Sequence, residues 1–242
     1  MTKNALITGC SKRIGKSIAL MLHQSGYNIA IHYHNSTVEA KALCKKLNDS
    51  RENSAKIFQA DLSQSVDCHS LINNVLSWQT DWHVLINSAS IFIDDQQAQA
   101  RWQEIFDLNL KAPYILSNGL HASLKNNLGC IINITDTHAA TTLEDYHIYC
   151  MTKAALNNQT RNLARAFSPK IRVNAIAPGA ILKPNAAEDD ASSKKHIDSV
   201  LQHTPLKKFG GNQAITSAIT LCIENAFMTG VILPIDGGCS LL

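Results

Sequence analysis

The sequence predicts a doubly wound α/β domain: one parallel sheet with helices on both faces. Two patterns and one length carry this expectation. Short apolar runs alternate with amphipathic stretches along the chain, and a glycine turn joins the first run to the first stretch. A length of 242 residues suits one domain, 1–242, better than two small ones.

In chain order, the strand-like segments are Ala5–Thr8, Tyr27–Tyr33, Lys56–Ala60, His83–Asn87, Cys130–Thr135, Arg172–Ala175 and Gly230–Pro234. Amphipathic stretches between them include Ile14–Ser25, Val38–Asn48, Val66–Trp78 and Ile148–Phe167. In the first of these, Ile14, Ile18, Met21 and Leu22 recur at helical spacing. Strand–helix–strand units of one hand leave the doubly wound sheet as the leading topology. The segment Lys183–Lys195 is polar with few apolar anchors, and it follows a strand end. It reads as a substrate lid over 183–199, or as a plain surface loop leading into a helix.

Composition excludes several classes. A hydrophobic fraction of 45% and a charged fraction of 17% are those of a globular protein, and a net charge of +3 argues against a nucleic-acid partner. The seven Cys residues are never spaced C-x-x-C, which argues against zinc, and no metal is expected. They read as reduced thiols of a cytoplasmic protein. The apolar run near Met1 is too short for a signal peptide, and no stretch is long enough to span a membrane.

The segment Thr8-Gly9-Cys10-Ser11-Lys12-Arg13-Ile14-Gly15 links the first strand to the first helix. Such a turn presents backbone N–H groups and a helix N-terminus to a pyrophosphate. Gly9 permits the tight turn and Gly15 close packing of the helix; two glycines alone also make an ordinary turn. An NAD enzyme places an acid at the end of the second strand. Here that end reads His32-Tyr33-His34-Asn35-Ser36, with no acid before Glu39, while Lys12 and Arg13 lie in the facing turn. These residues favour a 2′-phosphate, hence NADPH. Asp61 is placed to accept from an adenine amine; as a helix N-cap it would look the same.

Tyr149 and Lys153 stand four apart in a helical stretch and share a face. A nearby ammonium lowers the pKa of a phenol and makes it a usable acid.

Together with Leu85-Ile86-Asn87-Ser88-Ala89, Asp107-Leu108-Asn109, Arg172-Val173-Asn174, Pro178-Gly179 and Asp236-Gly237-Gly238, the turn and the pair resemble the short-chain dehydrogenase/reductase family. The resemblance covers nearly the whole chain. It implies Tyr149 as proton donor, Lys153 as its modulator and Asn109 as support for a relay water. It also implies cofactor contacts at Gly9, Ser11, Ile14, Leu62, Asn87, Ala89, Pro178, Gly179 and Ile181, and a homotetramer built partly on the helix carrying Tyr149.

Three positions depart from the family pattern. Asp136 stands where most members carry Ser, Arg13 replaces the middle glycine, and Asn87-Ser88-Ala89-Ser90 replaces the usual paired asparagines and glycine. An ionised carboxylate repels the charge that builds on a carbonyl oxygen, whereas a C=N bond needs a proton supply at nitrogen. Thr135 and Thr137 point to the opposite face if the strand continues, so neither replaces the serine. These departures resemble pteridine reductases and bacterial dihydromonapterin reductases. That resemblance implies pterin contacts at Arg13, Ser90, Phe92, Asp136, Leu143, Tyr146 and Tyr149, with Phe92 stacking opposite the nicotinamide and His34 and Ser36 at the 2′-phosphate. Phe92 as ordinary loop packing is the competing account. The expected activity is NADPH-dependent reduction of a 7,8-dihydropterin. The rivals are a carbonyl reductase for ketone or 3-oxoacyl substrates and a non-catalytic NADPH sensor.

Overall fold

Aliphatic runs of four to seven residues form the sheet: β1 (Asn4–Ile7), β2 (Asn28–Tyr33), β3 (Ala55–Gln59), β4 (Val84–Asn87), β5 (Cys130–Ile134), β6 (Arg172–Pro178) and β7 (Ile232–Ile235). The computed structural model describes residues 2–183 and 191–241. All pairings are parallel, in the order β3-β2-β1-β4-β5-β6-β7. The strand order reverses between β1 and β4, and ligands of such sheets bind at the carboxyl ends there.

Alternation along the strands builds two cores. Ile7, Ile29, Ile31, Ile86 and Ile132 face one layer, and Leu6, Ala30, Leu85, Ile131 and Val173 face the other. The first layer is covered by α1 (Arg13–Gln24), α2 (Thr37–Ser50) and α10 (Gly211–Glu224). On the second lie α3 (Ser65–Trp78), α6 (Ala112–Gly119), α7 (His121–Asn126) and α8 (His147–Phe167). Two short helices, α4 (Asp95–Ala100) and α5 (Trp102–Phe106), precede a π-helical turn at Asp107–Lys111, and α9 spans Ala191–Gln202.

The fold is the doubly wound parallel sheet expected, with shifts at element ends. β6 runs to Pro178, past the expected Ala175, because β5 and β7 pair with it on both sides. β7 starts at Ile232 rather than Gly230: Gly230 turns the chain at φ +76°, and the Asn174 side chain accepts from Val231 N. Of the expected lid, residues 184–190 lie outside the described residues, and the part from Ala191 is helical. Among the described residues no helix is long and apolar enough to cross a membrane, and no group of His, Cys, Asp and Glu is arranged to hold a metal ion. Cys10, Cys68, Cys130 and Cys222 are buried, and Cys44, Cys150 and Cys239 are partly so.

Candidate active site

The β1–α1 turn is fixed by buried polar groups. Thr8 Oγ1 accepts from Ser88 N at 2.9 Å and Ala89 N at 3.0 Å, tying the turn to the segment after β4. Gly9 adopts φ +64°, and a Cβ there would meet Ala89 Cα at 2.9 Å. At Gly15 a Cβ would stand 2.6 Å from Gly9 O, so the helix approaches its own turn closely. Arg13, where the family places a glycine, keeps the left-handed conformation at φ 49°. Helix α1 begins with no side-chain cap and no acid in its first turn. Uncapped N–H groups at a helix start, beside basic side chains, suit a pyrophosphate.

His32 sits inside this turn. It is buried, its Nδ1 accepts from Gly9 N at 3.1 Å, and its Nε2 lies 3.1 Å from Ala60 O. The second contact requires Nε2 to carry the proton, which fixes the neutral tautomer. Burial pushes the imidazole pKa down to about 4. One side chain thus joins the ends of β1, β2 and β3.

Two of the basic residues expected around a 2′-phosphate face acidic partners. Lys12 Nζ stands 2.9 Å from Glu39 Oε1, and His34 Nε2 stands 4.0 Å from Asp61 Oδ2, both pairs partly in water. Ser36 immediately precedes α2 without capping it through its side chain. Asp61 is not the cap of α3, which starts at Ser65; its Oδ1 accepts from Ser63 N and Ser63 Oγ at 3.0 and 2.8 Å. Leu62 is buried beneath it.

At the other end of the cleft, β5 runs into Asp136. Oδ1 of Asp136 accepts from His138 N at 2.8 Å, starting a turn of 3-10 helix, and Oδ2 accepts from Tyr149 Oη at 2.8 Å. Burial and the Asp136 carboxylate push the Tyr149 phenol well above its usual pKa. Burial and Asp136 thus act against the lowering expected from the Lys153 ammonium. Lys153 Nζ lies 5.6 Å from the Tyr149 ring centroid and donates to Ile134 O at 2.9 Å. Full burial brings its own pKa down to about 8. The flanking threonines are both committed, Thr135 to Ile176 O and Thr137 to Asp236 Oδ2. The chain leaves the strand after Ile134, so Thr137 is turned by the 3-10 helix rather than by strand alternation.

Phe92 is about half exposed and stacks on Tyr146 at 4.4 Å between centroids, with the planes 7° apart. Its edge contact with Tyr149 is 4.8 Å at 85°. A cleft of about 800 Å³ is lined by residues from both ends, among them Arg13, Ile14, Phe92, Asp136, Leu143 and Ile181. Pro178 and Gly179 line it as well, and a Cβ on Gly179 would meet Asp236 Cβ at 2.7 Å. Ser11 is buried in the turn.

Ser90 and Asn109 have structural duties beside the cleft. Asn109 Oδ1 accepts from Ile91 N and Ser90 Oγ, and its Nδ2 donates to Ile91 O and Thr152 Oγ1. All four hydrogen-bonding positions of its side chain are therefore filled, so the side chain offers no further position to the water it is expected to support. Asn87 Nδ2 donates to Asn133 Oδ1 at 2.8 Å, while Asn87 Oδ1 is buried without a partner.

Sequence reasoning overlooked three residues that shape the cleft: His32 inside the turn, His138 above Asp136 and Asp95 at the start of α8. Strand alternation puts His32 on the same face of β2 as the buried Ala30, and a histidine at a core position was the signal for the first. Asp95 lies too far along the chain from α8 to be read as its cap.

A family model described as enoyl-(acyl carrier protein) reductase matches residues 9–240. The chain belongs to the short-chain dehydrogenase/reductase family. It is similar to the 3-oxoacyl-[acyl-carrier-protein] reductase FabG of Staphylococcus epidermidis, with 32% identity over 98% of this chain and 99% of that protein. The uncharacterized oxidoreductase YmfI of Bacillus subtilis is also 32% identical, over 98% of this chain and 99% of its own. Pteridine reductase 1 of Leishmania tarentolae is 30% identical, over 98% and 96%. As an oxidoreductase of the short-chain family, the protein has its doubly wound sheet accounted for. By identity, these relatives favour carbonyl reduction over pterin reduction.

Proposed function

We propose that this short-chain oxidoreductase uses NADPH to reduce the C=N bond of a 7,8-dihydropterin. One observation carries the reading: the 2.8 Å hydrogen bond from Tyr149 Oη to Asp136 Oδ2. Carbonyl reduction needs hydrogen-bond donors aimed at the oxygen that gains charge. Here one donor position holds an acceptor, and that acceptor takes the phenol hydrogen. The same pair suits a ring nitrogen that must gain a proton. The phenol is hydrogen-bonded directly to Asp136, so its proton can pass by way of that carboxylate to the ring nitrogen. Lys153 places positive charge beside the ring when that proton leaves. The stacked Phe92 and Tyr146 give a flat heterocycle an aromatic surface.

Bound NADPH supplies the hydride. The uncapped start of α1, with Lys12, Arg13 and His34 near it, fits the phosphates, and Ser36 and Asp61 fit the adenosine. Arg13 lines the substrate cleft as well as the turn, so it reaches both ligands. Soluble small-molecule chemistry in the cytoplasm and a homotetramer are part of the same reading.

Reduction of a 3-oxoacyl or simple ketone substrate is the second reading, and the higher identity to FabG favours it. Rates of NADPH oxidation with dihydromonapterin, dihydrobiopterin, dihydrofolate, a 3-oxoacyl thioester and simple ketones separate the two. The pterin reading expects a dihydropterin to be the best substrate, with Asp136→Asn lowering turnover more than it raises KM. Asp136→Ser is expected to depress pterin reduction and raise ketone reduction. Wild type reducing the thioester or ketones far better than any pterin sinks the first reading.

A further inference from the structure

Helix α8 carries Tyr149, yet its start lacks a local cap. Tyr146 makes no side-chain cap, and the first turn contains no acid. The first N–H groups of a helix have no partner inside it, so an uncapped start frays. Here the partner comes from 52 residues away: Asp95 Oδ2 accepts from His147 N at 2.9 Å, and Oδ1 accepts from Ile148 N at 3.0 Å. The same Oδ2 lies 2.6 Å from His147 Nδ1. The main chain adds a third tie, since Asp95 N donates to Asp145 O at 2.8 Å. Asp145 is held at φ 62°, a left-handed conformation that an unpinned Asp rarely keeps.

Asp95 also opens α4, at the end of the loop that carries Ser90 and Phe92. Beneath the latch, Ile91, Ile93 and Ile148 pack with Ala98 and Ile105. Phe92 precedes the carboxylate by three residues, and Tyr146 immediately precedes its first N–H partner. The ring pairs Phe92–Tyr146 and Phe92–Tyr149 therefore bridge the two segments that Asp95 ties together. We propose that Asp95 is a positioning residue that latches the Phe92 loop to the start of α8, setting the geometry between the aromatic platform and the Tyr149 phenol. The proposal rests on the reading of this cleft as the reductase site. The hydrogen bonds from Ile148 and His147 hold the Asp95 carboxyl below its usual range, so the latch is ionised throughout the neutral range.

Amide hydrogen exchange and kinetics test it together on the full chain. Asp95→Ala removes both acceptors. Asp95→Asn keeps the shape, but its amide nitrogen cannot accept from the second N–H, and it carries the test if the alanine variant does not fold. Asp95→Ala should speed exchange at both His147 and Ile148 by about tenfold, and Asp95→Asn at the one of the two that faces the amide nitrogen, the effect of losing a helix cap. Asp94→Ala, which removes the bonds from Gln97 N and Gln97 Nε2 at the start of α4, should leave those two amides unchanged. With whichever substrate wild type reduces fastest, Asp95→Asn should raise the substrate KM about fivefold and leave the NADPH KM within about twofold. Unchanged exchange at His147 and Ile148 overturns the latch; faster exchange with an unchanged substrate KM overturns its positioning role. If the preferred substrate is a ketone, the pterin reading fails while both readouts still judge Asp95.

Discussion

At the β1–α1 end of the cleft, Lys12, Glu39, His34 and Asp61 meet in pairs that remain partly in water. At the β5–α8 end, Lys153 and Tyr149 are buried, and Asp136 holds the Tyr149 hydrogen. Exposed pairs are screened and contribute little individually, so the first end can exchange partners with a ligand at small cost. Buried groups cannot be rearranged so cheaply, because each depends on the others to offset desolvation. On the function proposed above, the first end would select a cofactor by degrees and the second would fix the reaction.

If that contrast holds, the largest losses belong to the buried end. Tyr149→Phe keeps the ring, its edge contact with Phe92 and its place over Lys153, and removes the proton. Turnover should fall by about 10²- to 10⁴-fold, the usual worth of a positioned acid, with NADPH affinity nearly intact. Stopped-flow kinetics with a separate cofactor titration measures both. Near-normal turnover would remove the phenol from the chemistry and make the two ends alike.

The next effect crosses the boundary, because His32 is a buried group at the exposed end. Above pH 6.5 the imidazole is neutral in both the folded and unfolded chain and contributes no pH dependence. Between pH 6.5 and about 4 the unfolded chain binds a proton that the folded chain refuses, so stability falls as pH falls. Below about 4 the folded form is charged too, and the loss levels off at roughly 3 kcal/mol. His23, also lowered by burial, acts in the same direction. Urea midpoints across this range should drop more for wild type than for His32→Asn, which cannot titrate. Equal slopes would mean that His32 is not held neutral by the turn.

The sheet was legible because its strands are short aliphatic runs whose faces follow from alternation. The β6 terminus was not, because pairing with β5 and β7 rather than propensity carries the strand to Pro178. Residue types in the glycine turn pointed to phosphate, but the pairing of Lys12 with Glu39 depends on how α2 lies against the turn. Asp136 was readable as a departure at a fixed spacing from Tyr149. Its direct bond to the phenol was not, since spacing along the chain does not say which oxygen faces the ring. Asp95 was invisible for a related reason: a cap supplied from another segment leaves no mark beside the helix it caps.

A smaller effect lies at Phe92, between the two ends. Phe92→Ala removes the stack on Tyr146 and the edge contact with Tyr149 while leaving Asp136 and the phenol in place. The KM for a dihydropterin should rise about fivefold, the equivalent of roughly 1 kcal/mol for one aromatic contact, with kcat nearly unchanged. Steady-state kinetics reads the split. A fall in kcat without a change in KM would mean that the ring shapes the proton relay rather than the substrate surface.

The smallest effect should come from Glu39, and it is the sharpest check on the exposed end. Lys12 immediately precedes α1, and Glu39 Oε1, in the first turn of α2, stands 2.9 Å from its ammonium. A 2′-phosphate must compete with that carboxylate for Lys12, and its own charge meets the carboxylate's as well. Lys12 holds the Glu39 carboxyl below its usual range, so the competition is present throughout the neutral range. NADPH should still be preferred over NADH by about tenfold, through charge-assisted bonds from Lys12, Arg13 and His34. Glu39→Gln frees Lys12 and removes the like charge, so the ratio of kcat/KM for NADPH to that for NADH should rise by about two- to fivefold. Lys12→Ala should lower the ratio by a similar factor, and the double variant should return close to wild type, since each change removes one half of the same pair. Raising the salt should shrink every one of these differences while leaving the loss in Tyr149→Phe untouched, because screening acts on charges in water and not on a buried phenol.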